Sequence, residues 1–133
     1  MRYFLDTNIC IYFLKGEYPS IKTRLNKKKP SDVKIPSVVK AELLFGAEKS
    51  QQAFENRRKI MSFLSPFEVL PFGDSETEAY ARIRAHLEHQ GTPIGANDML
   101  IAAIVMTDKS TLVTNNEKEF GQVEGLKLQN WTK

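Results

Sequence analysis

The chain alternates short apolar runs with longer segments whose apolar residues recur at helical spacing. Residues 2–5 form the first run, which stops abruptly at Asp6. Ile9, Cys10, Tyr12 and Phe13 then mark the apolar side of a helix, with Thr7 or Asn8 as its cap. Gly16 and Pro19 break that pattern, and the basic stretch Lys22–Lys29 predicts a second short helix ending before Pro30. Val33-Lys34-Ile35 reads as a strand, Ser37 as the cap of a helix over Val38–Lys49, and Gln51–Leu64 as a further helix. Phe67–Leu70 is the third predicted strand. Asp74 or Ser75 opens a helix through Tyr80, Ile83 and Leu87 that stops at Gly91. Gly95-Ala96-Asn97-Asp98 opens another, whose body Met99–Met106 is almost wholly apolar. A short helix without a polar side must be buried on several sides. Thr111–Thr114 and Leu126-Lys127-Leu128 complete the strands.

Strands alternating with helices predict an α/β fold: a central, mostly parallel sheet covered by helices on both faces. No linker, repeat or low-complexity tract interrupts the chain, and 133 residues suit one domain over residues 1–133. The 41% hydrophobic and 26% charged content belongs to a soluble globular protein rather than a disordered one. No stretch approaches the roughly 20 apolar residues of a membrane span. The first residues lack the basic region and apolar core of a secretory leader. One cysteine, Cys10, allows no internal disulfide, sits on an apolar helix side, and reads as buried filler. Together these point to the cytoplasm.

Four acids stand at element boundaries. Asp6 ends the first strand, Glu42 lies in the second turn of the helix after the second strand, and Asp98 in the first turn of the apolar helix. Glu119 lies just beyond the penultimate strand, in Asn115-Asn116-Glu117-Lys118-Glu119-Phe120. Strand-to-helix junctions of a parallel sheet share one edge, so acids remote in sequence can converge there. Clustered carboxylates repel one another unless cations join them, and an all-oxygen set favours Mg²⁺ or Mn²⁺ over zinc. The chemistry such a cluster supports is metal-assisted phosphodiester hydrolysis. With these acids set aside in one site, a net charge of +3 leaves a distinctly basic remaining surface, which suits a polyanionic substrate. Lys22, Arg24, Lys27, Lys28 and Lys29, and Arg57, Arg58 and Lys59, are phosphate-contact candidates or simply solvated helix faces. His86 and His89 lack further ligands for a transition metal. Trp131 is placed to pin the last strand onto the body.

Other classes fit poorly. A phosphatase using an aspartyl nucleophile needs a second aspartate where Asn8 stands, a receiver domain needs an acid ending the third strand where Leu70-Pro71 stand, and no glycine-rich phosphate loop is present. A catalytically silent domain that binds RNA or protein is the alternative from a different class, and the presence of all four acids argues against it.

The blocks Tyr3-Phe4-Leu5-Asp6-Thr7-Asn8, Pro36 to Leu43, Ile94 to Ala103, and Leu112-Val113-Thr114-Asn115-Asn116 through Glu119-Phe120 resemble those of PIN-domain ribonucleases, in particular the VapC toxins of bacterial type II toxin–antitoxin modules. The resemblance covers essentially the whole chain. It implies a three-layer PIN-like domain and a metal-dependent endoribonuclease that leaves 5′-phosphate and 3′-hydroxyl ends, with initiator tRNA at the anticodon loop as a target. By that resemblance Asp6, Glu42, Asp98 and Glu119 are the catalytic acids, with Asp6 and Asp98 as direct metal ligands for Mg²⁺ or Mn²⁺. The fourth acidic position falls at Glu119 or at Asn116, with Glu119 favoured and Asn116 hydrogen-bonding near Asp6. Thr7 and Thr114 would orient carboxylates through their hydroxyls. The resemblance also implies a VapB-type antitoxin, a homodimer, and contact with operator DNA only through the antitoxin. The apolar run Ile11-Tyr12-Phe13-Leu14 is too continuous for one buried helix stripe, which leaves part of it for such a partner.

Overall fold

The computed structural model describes residues 1–133. Five parallel strands form its centre: β1 (Tyr3–Leu5), β2 (Val33–Pro36), β3 (Glu68–Leu70), β4 (Thr111–Val113) and β5 (Lys127–Gln129), in the order β3-β2-β1-β4-β5. The pairing is parallel throughout, where the pattern foresaw a mostly parallel sheet. The central β1 and β4 are fully buried and carry only side chains that tolerate this, whereas β3 and β5 at the edges are partly exposed. Lys34 lies opposite Glu68 in the β2–β3 register, and their side chains pair at 2.7 Å.

Seven helices connect the strands: α1 (Thr7–Lys15), α2 (Pro19–Asn26), α3 (Ser37–Glu48), α4 (Ala53–Leu64), α5 (Asp74–Gln90), α6 (Ala96–Thr107) and the single turn α7 (Glu117–Phe120). A 3-10 turn at Pro30–Asp32 leads into β2. α6 buries Met99 and Ile101–Val105, because it is wedged between α5 and α3 and lies over β2 and β4. That position explains its lack of a polar side. Gly16 ends α1 in the left-handed region (φ 74°), and the N–H of Glu17 donates to the Tyr12 carbonyl at 2.9 Å, a closure that favours glycine.

Several boundaries depart from the sequence pattern. The cap of α1 is Asp6, whose carboxylate accepts the Thr7 N–H, rather than Thr7 or Asn8. Ser37 is the first helical residue of α3, and Pro36 precedes it without a side-chain cap. α2 starts at Pro19, where proline suits a helix's first position, and ends at Asn26, so Lys27–Lys29 lie beyond it. α7 was not foreseen, because four residues are too few to show a period.

One contiguous core of 28 buried hydrophobic residues packs both faces of the sheet. Trp131 is fully buried against the Tyr3 ring, with centroids 5.6 Å apart, and its backbone carbonyl accepts from the Ser20 hydroxyl. The tail is thus fixed to both β1 and α2, as its sequence suggested. No helix is long and apolar enough to cross a membrane.

Candidate active site

From β1 the chain winds outward through β2 and β3, then returns to β4 on the other side of β1. The switch in winding direction opens a crevice at the carboxyl ends of β1 and β4, where α/β folds place ligands. Asp6 follows β1 and Thr114 follows β4 at this crevice.

Asp6 is buried, with 6% of its surface exposed, and both its oxygens are held. Oδ1 accepts the Thr7 N–H at 2.8 Å, and Oδ2 accepts the Thr114 hydroxyl at 2.7 Å. Burial pushes the Asp6 carboxyl up, the bonds from Thr114 and Thr7 pull it down, and repulsion from Glu42 and Glu119 pushes it up again. The Thr7 hydroxyl points the other way and donates to Glu42 Oε1 at 2.7 Å. Two adjacent residues therefore tie α1 to β4 on one side and to α3 on the other.

Glu119 is fixed from two elements. Its Oε1 accepts the Gly95 N–H at 2.7 Å, and its Oε2 accepts the Asn116 amide at 2.9 Å. The Gly95 backbone bond, followed by hydrogen bonds from Asp98 and Asn116, holds the Glu119 carboxyl below its ordinary range. Asp98, half-buried in the first turn of α6, is pushed up to about 7. Burial is the first cause, a hydrogen bond to Glu119 the second, and repulsion from Glu119, Asp6 and Glu42 completes it. The structure thus brings all four sequence-selected acids into one electrostatic neighbourhood.

They do not form a ready-made cage. No three acidic, His or Cys side chains converge on one point as the ligands of an ion do. Like charges separate, and each carboxylate except Asp98 turns to a donor of its own. Asn116 differs from its expected placement: its side chain binds Glu119, and only its backbone N–H, donating to the Thr114 hydroxyl at 3.0 Å, leads towards Asp6. Cys10 is fully buried and its thiol is pushed up by burial, then by Asp6, which leaves it inert. His86 lies 3.4 Å from Glu124, away from the crevice.

Two contributors escaped sequence reasoning. Gly95 acts through a backbone N–H that no side-chain motif records, although a glycine just before an apolar helix marks the position. The Asn115 amide donates to the Tyr12 hydroxyl at 3.1 Å, and thereby fixes the loop after β4 to α1. Only the fold brings residues 12 and 115 together.

The profile of the PIN domain family matches residues 3–126, and the chain belongs to that family. Its relatives narrow the class. Over its whole length it is 41% identical to Ribonuclease VapC2 of Rickettsia felis, which it covers fully, and over 99% of both chains it is 37% identical to the tRNA(fMet)-specific endonuclease VapC of Shigella flexneri. The fold superposes with a TM-score of 0.92 on a chain of Rickettsia felis VapBC2 bound to a promoter DNA fragment, at 39% identity over 98% of this chain and 99% of that one. DNA-bound VapBC from Salmonella typhimurium gives 0.93 at 34% identity over 98% of both chains. Within the PIN family, the chain is of the VapC type.

Proposed function

We propose that this chain is a Mg²⁺- or Mn²⁺-dependent endoribonuclease and the toxin of a type II toxin–antitoxin pair. The observation that carries this reading is Asp98, a half-buried acid raised to about 7 beside three other carboxylates at the switch point of the sheet. Such crowding is the electrostatic demand that a hard divalent cation satisfies. The donor set fits Mg²⁺ or Mn²⁺ in type and charge, and Asp6 and Asp98 would hold the ion. When bound, it lowers the pKa of a water and offsets charge developing on the phosphate.

The chain's own residues supply the rest. The Thr7 N–H and the Thr114 hydroxyl each hold one oxygen of Asp6 and so fix the carboxylate's orientation. Gly95 and Asn116 keep Glu119 ionised, and Thr7 orients Glu42. Because the nucleophile is water rather than a ribose hydroxyl, the products carry 5′-phosphate and 3′-hydroxyl ends. Two relatives named as tRNA(fMet)-specific endonucleases support initiator tRNA as the target, and the family resemblance adds its anticodon loop as the place of the cut.

The VapBC complexes among the structural neighbours support a VapB-type antitoxin as partner, with operator DNA reached through it. A groove of about 310 Å³ between α1, α3 and α4 suits that partner: Ile11, Leu14, Leu43 and Ile60 line it, and Glu42 stands at its edge. A basic antitoxin side chain reaching from this groove to the carboxylates would exclude the cations. By the family resemblance, the active form of this reading is a homodimer.

The test combines two readouts. Mn²⁺ is expected to raise the melting temperature of the wild type and not of Asp98→Asn. Sequencing of RNA ends after induced expression should reveal one dominant cut that the variant does not make. Cleavage by well-folded, pure Asp98→Asn protein would refute the assignment.

A further inference from the structure

The crevice is flanked by two cavities of opposite character. The groove beside Glu42 is lined by five hydrophobic residues among ten. On the other side, beyond Glu119, lies a cavity of about 410 Å³ in which Ile94 is the one hydrophobic residue. Its walls come from two stretches that the Gly95–Glu119 bond draws together: the α5–α6 connection, with Thr92 and Gly95, and the α7 region, with Asn116, Lys118 and Gln122. Glu119 belongs both to this cavity and to the acid cluster: Gly95 and Asn116 hold its two oxygens in the cavity wall, and it shares a hydrogen bond with Asp98.

From this juxtaposition we infer that the cavity beyond Glu119 is a nucleotide subsite, which receives the residue next to the scissile phosphate. The inference rests on the nuclease reading and deepens it by naming residues that select the substrate. The volume falls in the ~300–1,000 Å³ range of small-ligand clefts. The lining is mixed, as a nucleotide requires: the Lys118 ammonium, the Asn116 and Gln122 amides and the Thr92 hydroxyl offer polar contacts, and Pro93 and Ile94 offer a small apolar surface against which a base can rest. Lys118 is exposed, while neighbouring Glu117 is occupied by Lys133 and Asn130, so the Lys118 charge is available to a phosphate. The Gln122 amide donates only to the Lys118 carbonyl, at a long 3.4 Å, and its oxygen is free to accept from a base edge. Because Glu119 is shared between this cavity and the acid cluster, a nucleotide seated here lies one residue from the reacting phosphate. Lys118 supplies affinity and Gln122 supplies base preference.

The test uses the full chain freed of its partner, with Mg²⁺, on initiator tRNA and on a randomised single-stranded oligoribonucleotide pool and single members of it. Lys118→Ala should raise KM about tenfold with kcat unchanged and lower the salt dependence of log(1/KM) by about 0.7, the share of one phosphate. Lys118→Arg should restore both. Gln122→Ala should flatten the base preference at one position beside the cut while leaving the cut chemistry intact. Wild-type cleavage with unchanged KM, salt slope and base preference in both alanine variants would overturn the subsite alone. A wild type that cuts no RNA would overturn the nuclease reading and the subsite with it.

Discussion

Asp98 carries a thermodynamic signature that can be read without any substrate. Its carboxyl is pushed from an ordinary 3.8 to about 7 in the folded chain. The folded state therefore holds a proton that the unfolded chain releases, and between those two values each rise in pH costs stability. Glu119 acts in the opposite sense, but its contribution is lost only as pH falls below its ordinary 4.5. In chelator, the melting temperature of the wild type should therefore drop by a few degrees between about pH 5 and pH 8. Asp98→Asn should flatten this profile and melt above the wild type at the alkaline end. Thermal scans across that range decide it, and a flat wild-type curve would mean that the carboxylates are not crowded. Thr114 makes a second prediction. It is wholly buried, donates to Asp6 and accepts from the Asn116 N–H. Thr114→Val keeps the shape but strips the buried acid of a donor and leaves an N–H unpaired, at a cost of about 1–3 kcal/mol. Urea unfolding would measure that loss, and cleavage should fall with it.

At the scale of elements, α7 matters out of proportion to its four residues, because it carries Glu119. A Cβ at Gly121, just after it, would lie 2.6 Å from the Glu117 carbonyl. Gly121→Ala must shift this turn, and is expected to destabilise the fold by about 1–3 kcal/mol as other overpacking does. It should also lower cleavage more than Gly46→Ala, where a Cβ has open space. Denaturation curves and cleavage rates on the two variants would check the contrast. These elements also show what a linear pattern can carry. The apolar runs at Tyr3–Leu5 and Thr111–Val113 announced buried strands, and the all-apolar α6 announced its multiple neighbours, because both signals are properties of consecutive side chains. The choice of Asp6, Glu42, Asp98 and Glu119 was legible for a similar reason: each acid interrupts or borders an apolar segment. What stayed hidden was made by pairing across the chain. The cap of α1 depends on a carboxylate that the strand geometry turns back onto Thr7. The clamp on Glu119 uses the backbone of Gly95, and the Asn115–Tyr12 bond exists only when β4 lies beside β1.

For the whole molecule, the relevant asymmetry is an apolar groove on one flank of the acid cluster and a polar cavity on the other. Leu14 is exposed and lines the groove, to which neither Asp98 nor Glu119 belongs. Leu14→Asp should therefore weaken antitoxin binding at least tenfold, by losing burial and introducing a charge, while RNA cleavage by the free chain is unchanged. Co-purification and titration with the product of the neighbouring reading frame would measure it. Equal affinity would show that the antitoxin docks elsewhere.

The bond between Thr114 and Asp6 joins residues 108 apart, and the acids it supports are spread from position 6 to position 119. On the proposed function, a piece of the gene that stops short of codon 119 should therefore encode no harmful product. On that same function, a frameshift or stop codon almost anywhere before codon 119 should disarm the protein as surely as a change at one of the four acid codons. Among cells selected to survive loss of the antitoxin, the lesions should lie scattered along the reading frame, with missense changes a minority concentrated at the acids and the threonines that hold them.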